Sequence, residues 1–535
     1  MMNMKKYILI FVISTLGLVA QESEKPTTTE PIDLPTFIIR GDLQLDVNAG
    51  IKQDPSNPIP LTVGELDSLN SLDKMPIKAL NPPSLPVDVG IAVPADAFVK
   101  GQFGRYATAA IGAGGGIKIN GYDLYATGNF ENSTGHVKNS EYSKLDFKLT
   151  SDFIAPEKFF IFGGSRTRTE VNFISRDFML YGSTLGLERD IKNFGVNVDV
   201  DGTFSELNFN AGAGFDGFGM KTDGISTADN NYFGYLRLDR LWNNFFVSAN
   251  LYVDMHNLRS NSAQFIQLDG EMSLLTNKLT MTGAVGFQIA SNDNDISRGG
   301  LLIFGEIEYR MNELFTIRGN ARSGLKNNNF KELVYTNPYT SQYASFDYSY
   351  DIIHAKGMLN FHPTHKIGVN AGFSFRHVDR LPVYLNDLIF VPGAFVINHE
   401  KATIISSDFE FYWNLTESDK VIANLTATKA TLSDYDGKIV PYYPELKISG
   451  NYSRKWSEKF GTKIGIDYFG ERFADLENTT EISSFINLKT EFNYNVLESL
   501  LLFASLENLT NSDIVIFNGY KERGIFFNFG IMWQF

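Results

Sequence analysis

The run Gly112–Gly116 is the first place where residue types suggest chemistry, because a glycine-rich loop can cradle phosphate through its backbone N–H groups. No Gly-Lys-Ser/Thr follows it and no helix begins after it, so it reads as strand glycine. His362-Pro363-Thr364-His365 places two imidazoles close together, as a metal site would. With Pro363 between them and no third ligand adjoining, the segment reads as a hairpin turn. His136, His256, His354, His377 and His399 are isolated in sequence, and no serine sits in a recognisable nucleophile elbow. The chain has no cysteine, which removes thiolate metal sites, iron–sulfur clusters and cysteine nucleophiles. No catalytic, cofactor or metal residue is therefore assigned, and the chain is not expected to be an enzyme. A net charge of -14 argues against nucleic acid as a partner, since that requires a cationic surface.

The charged residues that remain are arranged by strands. Lys144, Asp146 and Lys148 alternate with Leu145, Phe147 and Leu149; Asp408 and Glu410 alternate with Phe409, Phe411 and Trp413. A period of two with one apolar face marks a strand buried on one side. The same pattern recurs from Ala97 to Phe535, with short turns such as Leu241–Asn244 and Thr416–Asp419. Longer polar stretches, Lys221–Asn231 and Ser433–Pro441 among them, read as loops between every second pair. Short turns at one end and long loops at the other are the plan of an outer-membrane barrel, and aromatics at strand ends (Tyr106, Trp242, Trp456, Trp533) fit its interfacial girdles. The fold class expected is all-β, a single transmembrane antiparallel β-barrel. At about 9–11 residues per spanning strand, the 439 residues from Ala97 allow about 22 strands, with 20 the next even count. Lys144, Asp146, Lys148, Asp408 and Glu410 would then face a water-filled lumen.

The first 96 residues are different. Lys5-Lys6, the apolar stretch Tyr7–Val19 and Ala20 read as a signal peptide over residues 1–20. Eleven of the 18 prolines fall between Pro26 and Pro94, so residues 21–96 read as a Pro-rich N-terminal extension, lumenal or periplasmic, in which only Thr36–Leu45 could form a strand. Residues 97–535 form the barrel.

The last strand carries a second signal. Ile525, Phe527, Phe529, Ile531, Trp533 and Phe535 share one face, and Asn528, Gly530, Met532 and Gln534 the other. Asn528, Gly530, Trp533 and a terminal Phe535 resemble the signal by which the barrel assembly machinery selects its clients. Such a strand can pair with an edge of the insertase before it closes its own seam.

Glu507-Asn508-Leu509-Thr510-Asn511, then Gly519-Tyr520 and Arg523-Gly524 before the terminal strand, resemble the ending of TonB-dependent receptor barrels. Tyr443-Pro444-Glu445-Leu446 is similar to the proline-initiated strand that precedes the final hairpins of that family. Phe330-Lys331-Glu332-Leu333 and Asn337-Pro338-Tyr339 resemble strings in receptor-like barrels of Bacteroidota. The resemblance implies an outer-membrane transporter or channel in contact with lipid, with TonB and a surface lipoprotein as further partners. Those receptors carry a plug domain of well over a hundred residues; the extension here is shorter and rich in proline, so no conventional plug is expected. A non-transporting structural or assembly component of an outer-membrane complex is the alternative.

Overall fold

The computed structural model describes residues 97–119, 121–157, 163–259, 261–292 and 297–535. The expected signal peptide, the Pro-rich extension and the Thr36–Leu45 strand lie outside the described residues.

Twenty-two antiparallel strands, from Ala97–Gly104 to Phe526–Gln534, form one sheet, the strand count that the sequence predicts. Its first and last members pair with each other: Phe98 stands opposite Gln534 and Gly104 opposite Asn528. Reciprocal backbone bonds between Ala97 and Phe535, both 2.9 Å, tie the ends of these strands. The ring is closed, so no strand presents an open edge.

Along the strands the usual rule of burial is inverted. Val99, Phe103, Phe529, Ile531 and Trp533 are exposed, while Asp229, Asp254, His256, Asp351 and Glu491 are buried. An apolar outer face and a polar inner one is the solution a bilayer requires, because lipid solvates the first and the lumen the second. Among the described residues no helix is long and apolar enough to cross a membrane; the strands do so.

Both the start of the first strand and the end of the last lie at the end of short turns, such as Ser205-Glu206, Asn243-Asn244, His365-Lys366 and Glu498-Ser499. A connection of eleven residues, 155–165, is an exception at this end. The opposite end, which in such barrels faces outward, carries the connections 327–348, 387–394, 433–445, 470–484 and 508–525. Lys221–Asn231 is not among them. The strands Leu207–Thr222 and Ile225–Trp242 run through it and turn at Asp223-Gly224. These polar residues lie far from the short turns, where no lipid demands an apolar alternation, yet the hydrogen-bond ladder continues. Gly112–Gly116 falls within the strand Thr108–Ile119, and His365 in the turn that follows Ser349–Thr364.

Candidate functional site

Counting strands around the ring, the fifth to seventh are Arg166–Leu180, Leu187–Phe204 and Leu207–Thr222; the thirteenth to sixteenth are Phe315–Lys326, Ser349–Thr364, Ile367–Asn386 and Phe395–Asn414. The connection 327–348 leaves the thirteenth strand and returns to the fourteenth. In between it reaches the fifth, sixth and seventh, which lie about a third of the way around the ring. To do so it crosses the mouth as a strap.

The strap begins with a short helix, Phe330–Thr336, whose N-cap Asn329 accepts a 2.7 Å bond from the Glu332 N–H. Phe330, Leu333 and Val334 on one side of this helix pack with Ile191, Phe218 and Met220 of the sixth and seventh strands and Ile397 of the sixteenth. Lys331 extends to Asp216 on the seventh strand at 2.7 Å. Tyr335 lies under the Arg176 guanidinium of the fifth strand, 5.3 Å from the ring centre. Arg189, fully buried at 0% exposure, donates to the Pro338 and Thr340 carbonyls at 2.9 and 2.6 Å and to the Thr222 hydroxyl at 3.1 Å. A buried charge is tolerated only where such bonds replace water. The sixteenth strand holds the other flank: Ser341 donates to the Phe395 carbonyl at 2.7 Å, and Phe395 to that of Tyr339 at 2.9 Å.

The later long connections close over the strap. Tyr520 stacks on Tyr339 with ring centres 3.4 Å apart, Tyr181 meets its edge at 4.8 Å, and its hydroxyl donates to the Gly393 carbonyl. Phe395, Tyr442, Ala474, Ile482 and Phe517 complete this core, drawn from the start of the sixteenth strand and from three of the long connections. Two glycines make room for it. Gly519 takes φ +91°, and a Cβ on Gly182 would stand 2.5 Å from the Tyr520 ring. Burial lowers the Arg472 guanidinium to about 10, still charged at neutral pH, and it donates to the Val515 carbonyl within the cap. Burial also pushes the Tyr520 hydroxyl well up, so it acts only as a neutral donor.

The residues singled out in the sequence fall into two places. Asn508, Leu509, Thr510, Asn511, Gly519, Tyr520 and Arg523 come together in the last connection, with Glu507 at the end of the strand before it. Asn508 takes φ +49°; its side-chain amide donates to the Ser512 and Arg523 carbonyls at 2.9 and 3.2 Å and accepts from the Ser512 N–H at 2.8 Å. The Leu509 N–H donates to Leu488 O and the Thr510 hydroxyl to Ile486 O, both at 2.9 Å. Asn511, also left-handed at φ +51°, accepts from the Ile525 N–H. Arg523 pairs with Glu507 at 3.0 Å and lies over the Phe526 ring. The motif is thus a latch that starts the last connection and returns it to the wall. Asn528, Gly530, Trp533 and Phe535 lie instead along the seam, with Trp533 opposite Val99 and Gly530 opposite Gln102. A Cβ on Gly530 would fall 2.3 Å from the Phe503 ring, so that ring requires glycine beneath it. Arg189 was not legible as a functional residue, since its strap partners Pro338 and Thr340 lie about 150 residues away. The strings at Phe330 and Asn337 were the only sequence signal of the strap.

No family model matches the chain, and no curated protein matches it in sequence. Solved structures match it in fold. The copper transporter OprC has a TM-score of 0.65 at 11% identity, over 83% of this chain and 80% of its own. The ferric-catecholate import receptor Fiu from K12 E. coli has 0.64 at 10%, over 82% of each chain. The FrpB iron transporter from Neisseria meningitidis, F5-1 variant, has 0.67 at 9%, over 82% of each. The fold is that of the TonB-dependent receptor barrels. Its 22 strands and apolar outer face make the chain an outer-membrane barrel.

Proposed function

We propose that this barrel is an outer-membrane transporter of the receptor type, whose strap and loop cap gate a polar lumen at the outward mouth. The observation that carries this is the strap itself, which spans the mouth and is fastened by Arg189 and by the Lys331–Asp216 pair. Lumenal charges below it, Lys144, Asp146 and Lys148 on one wall and Asp408 and Glu410 on another, supply a wetted route. The terminal strand from Asn528 to Phe535 serves as the assembly signal read by the barrel assembly machinery, since it supplies the last seam to close.

Planar-bilayer conductance of the purified chain tests the gate. Replacing residues 329–346 by a Gly-Ser linker is expected to raise single-channel conductance at least about tenfold, because a barrel of this size without a filled lumen leaves an aqueous channel. The same substitution in a chain lacking residues 21–96 separates occlusion by the strap from occlusion by the N-terminal extension. Absence of conductance in every form would overturn the transport reading, and stable co-purification of other outer-membrane proteins would then favour a scaffold.

A further inference from the structure

The wall beneath the root of the strap is irregular in one place and on three neighbouring pairings. Register shifts between Arg322 and Gly324 on the thirteenth strand, between Asp351 and Ile353 on the fourteenth, and between Val378 and Leu381 on the fifteenth. Arg380, within the last of these, takes φ +58°. Such bulges bend a strand and re-aim its side chains, and they recur beside binding and active sites.

These bulges border a row of basic side chains. Arg322 stands opposite His354, and His354 opposite Arg376, so three basic residues lie side by side across three strands. Directly opposed residues have Cβ atoms about 4.5–5.5 Å apart, so the Arg322 and Arg376 guanidiniums flank the His354 ring. One carboxylate answers the row. Asp351, 1% exposed, takes Arg376 Nε on one oxygen and an Arg322 terminal nitrogen on the other, both at 2.6 Å. Both of its oxygens are thereby engaged. Lys356 lies two residues further along the same face as His354, and Lys326, paired with Ser349, shares the face of Asp351. Among the described residues neither lysine forms an ion pair. Asp408 attracts Lys356, and Glu332 and Asp351 attract Lys326, without forming an ion pair. The lumen wall here concentrates positive charge that the protein itself leaves only partly answered.

We infer that Arg322, His354, Lys356 and Arg376, with Lys326 at the rim, form an oxyanion-binding site on the solute path, which takes the carboxylate or phosphate groups of an anionic solute. Guanidinium forks match the paired oxygens of either group, and a lysine adds a point charge that tolerates both. The site deepens the transport reading and rests on it, because an anion bound directly beneath the strap is one the strap retains.

Titration calorimetry on the full chain in detergent at low ionic strength tests the site, with inorganic pyrophosphate and citrate as probes. Saturable binding of at least one is expected, and the stronger of the two assigns phosphate or carboxylate. Arg376→Gln strips Asp351 of a partner and risks the fold, so Lys356→Gln and Lys326→Gln decide. Each should weaken binding about tenfold, the loss of one charge-assisted hydrogen bond, while heat-modifiable gel migration reports an intact barrel. No saturable binding of either probe, or binding that both lysine variants leave unchanged, overturns the inference. Since binding is read at equilibrium, a chain that conducts but binds neither anion sinks this site and leaves the transport reading standing.

Discussion

The wall and the cap of this barrel use the same residue types in opposite ways. On the last strand Phe529, Ile531 and Trp533 point outward and are exposed, whereas Phe395, Phe517 and Tyr520 of the cap are buried. Polar groups reverse as well: Asp254 and Asp351 are hidden inside the wall, while Asp513 and Lys521 at the cap surface are open and pair at 2.5 Å. The chain therefore folds against two solvents. Where lipid surrounds it, apolar side chains go out and hydrogen bonds run around the ring. Where water surrounds it, a small soluble-type core forms from connections that are distant in sequence, although Leu388, Ile389 and Phe390 of the cap stay exposed. The cap is stabilised by that core and not by the ladder, which makes it the separable part of the molecule.

Substitution of an aromatic on each side breaks this symmetry most visibly. Tyr520→Ala removes a fully buried ring from the stack on Tyr339 and leaves the Gly393 carbonyl without its donor. A cost of about 3–5 kcal/mol is expected, confined to the cap. It should appear as new protease cleavage within 387–394 and 508–525 while the barrel still migrates as folded. Cleavage equal to that of the unaltered chain would show that the cap does not depend on this core. The wall responds to the opposite chemistry. Ile531→Arg puts a charge on the lipid face and should cost about 2–4 kcal/mol if it lies at mid-bilayer. Urea titration of the protein folded into phospholipid vesicles measures it. A loss below about 0.5 kcal/mol would place Ile531 outside the apolar band.

The same division decides what could be read from sequence. The strand count was legible because lipid forces a period of two on every spanning segment, as in Lys144–Thr150, and the seam was legible because Phe535 ends a strand that alternates with little interruption. Lys221–Asn231 was misread as a loop. Its residues continue two strands with no bilayer to impose an apolar face, so the ladder leaves no trace in the pattern. The cap was half legible. Glu507–Asn511 and Tyr520 stood out through resemblance, but their roles lie in contacts across the mouth that no local period encodes. Arg189 meets Thr340, and Tyr520 meets Gly393, only because closure of the ring brings their strands to one rim. The basic row at Arg322, His354 and Arg376 was hidden for a related reason, since its members adjoin only through the register of three strands.

Asn508 sits where wall and cap join, and its substitution gives the smallest and most discriminating test. Its φ of +49° is a conformation that asparagine tolerates better than alanine. Its buried side chain also holds the Ser512 and Arg523 carbonyls and the Ser512 N–H, binding the start of the last connection to its return. Asn508→Ala loses both and should cost about 1–3 kcal/mol, the penalty for buried polar groups left unpaired. Asn508→Gly keeps the left-handed backbone but not the bonds, so the difference between the two variants isolates backbone strain from hydrogen bonding. If the latch belongs to the cap, both variants should increase proteolysis of 508–525 and leave the urea midpoint of the vesicle-embedded barrel unchanged. A shift of that midpoint would instead assign Asn508 to the wall, because the last strand begins directly beyond the carbonyl that it holds.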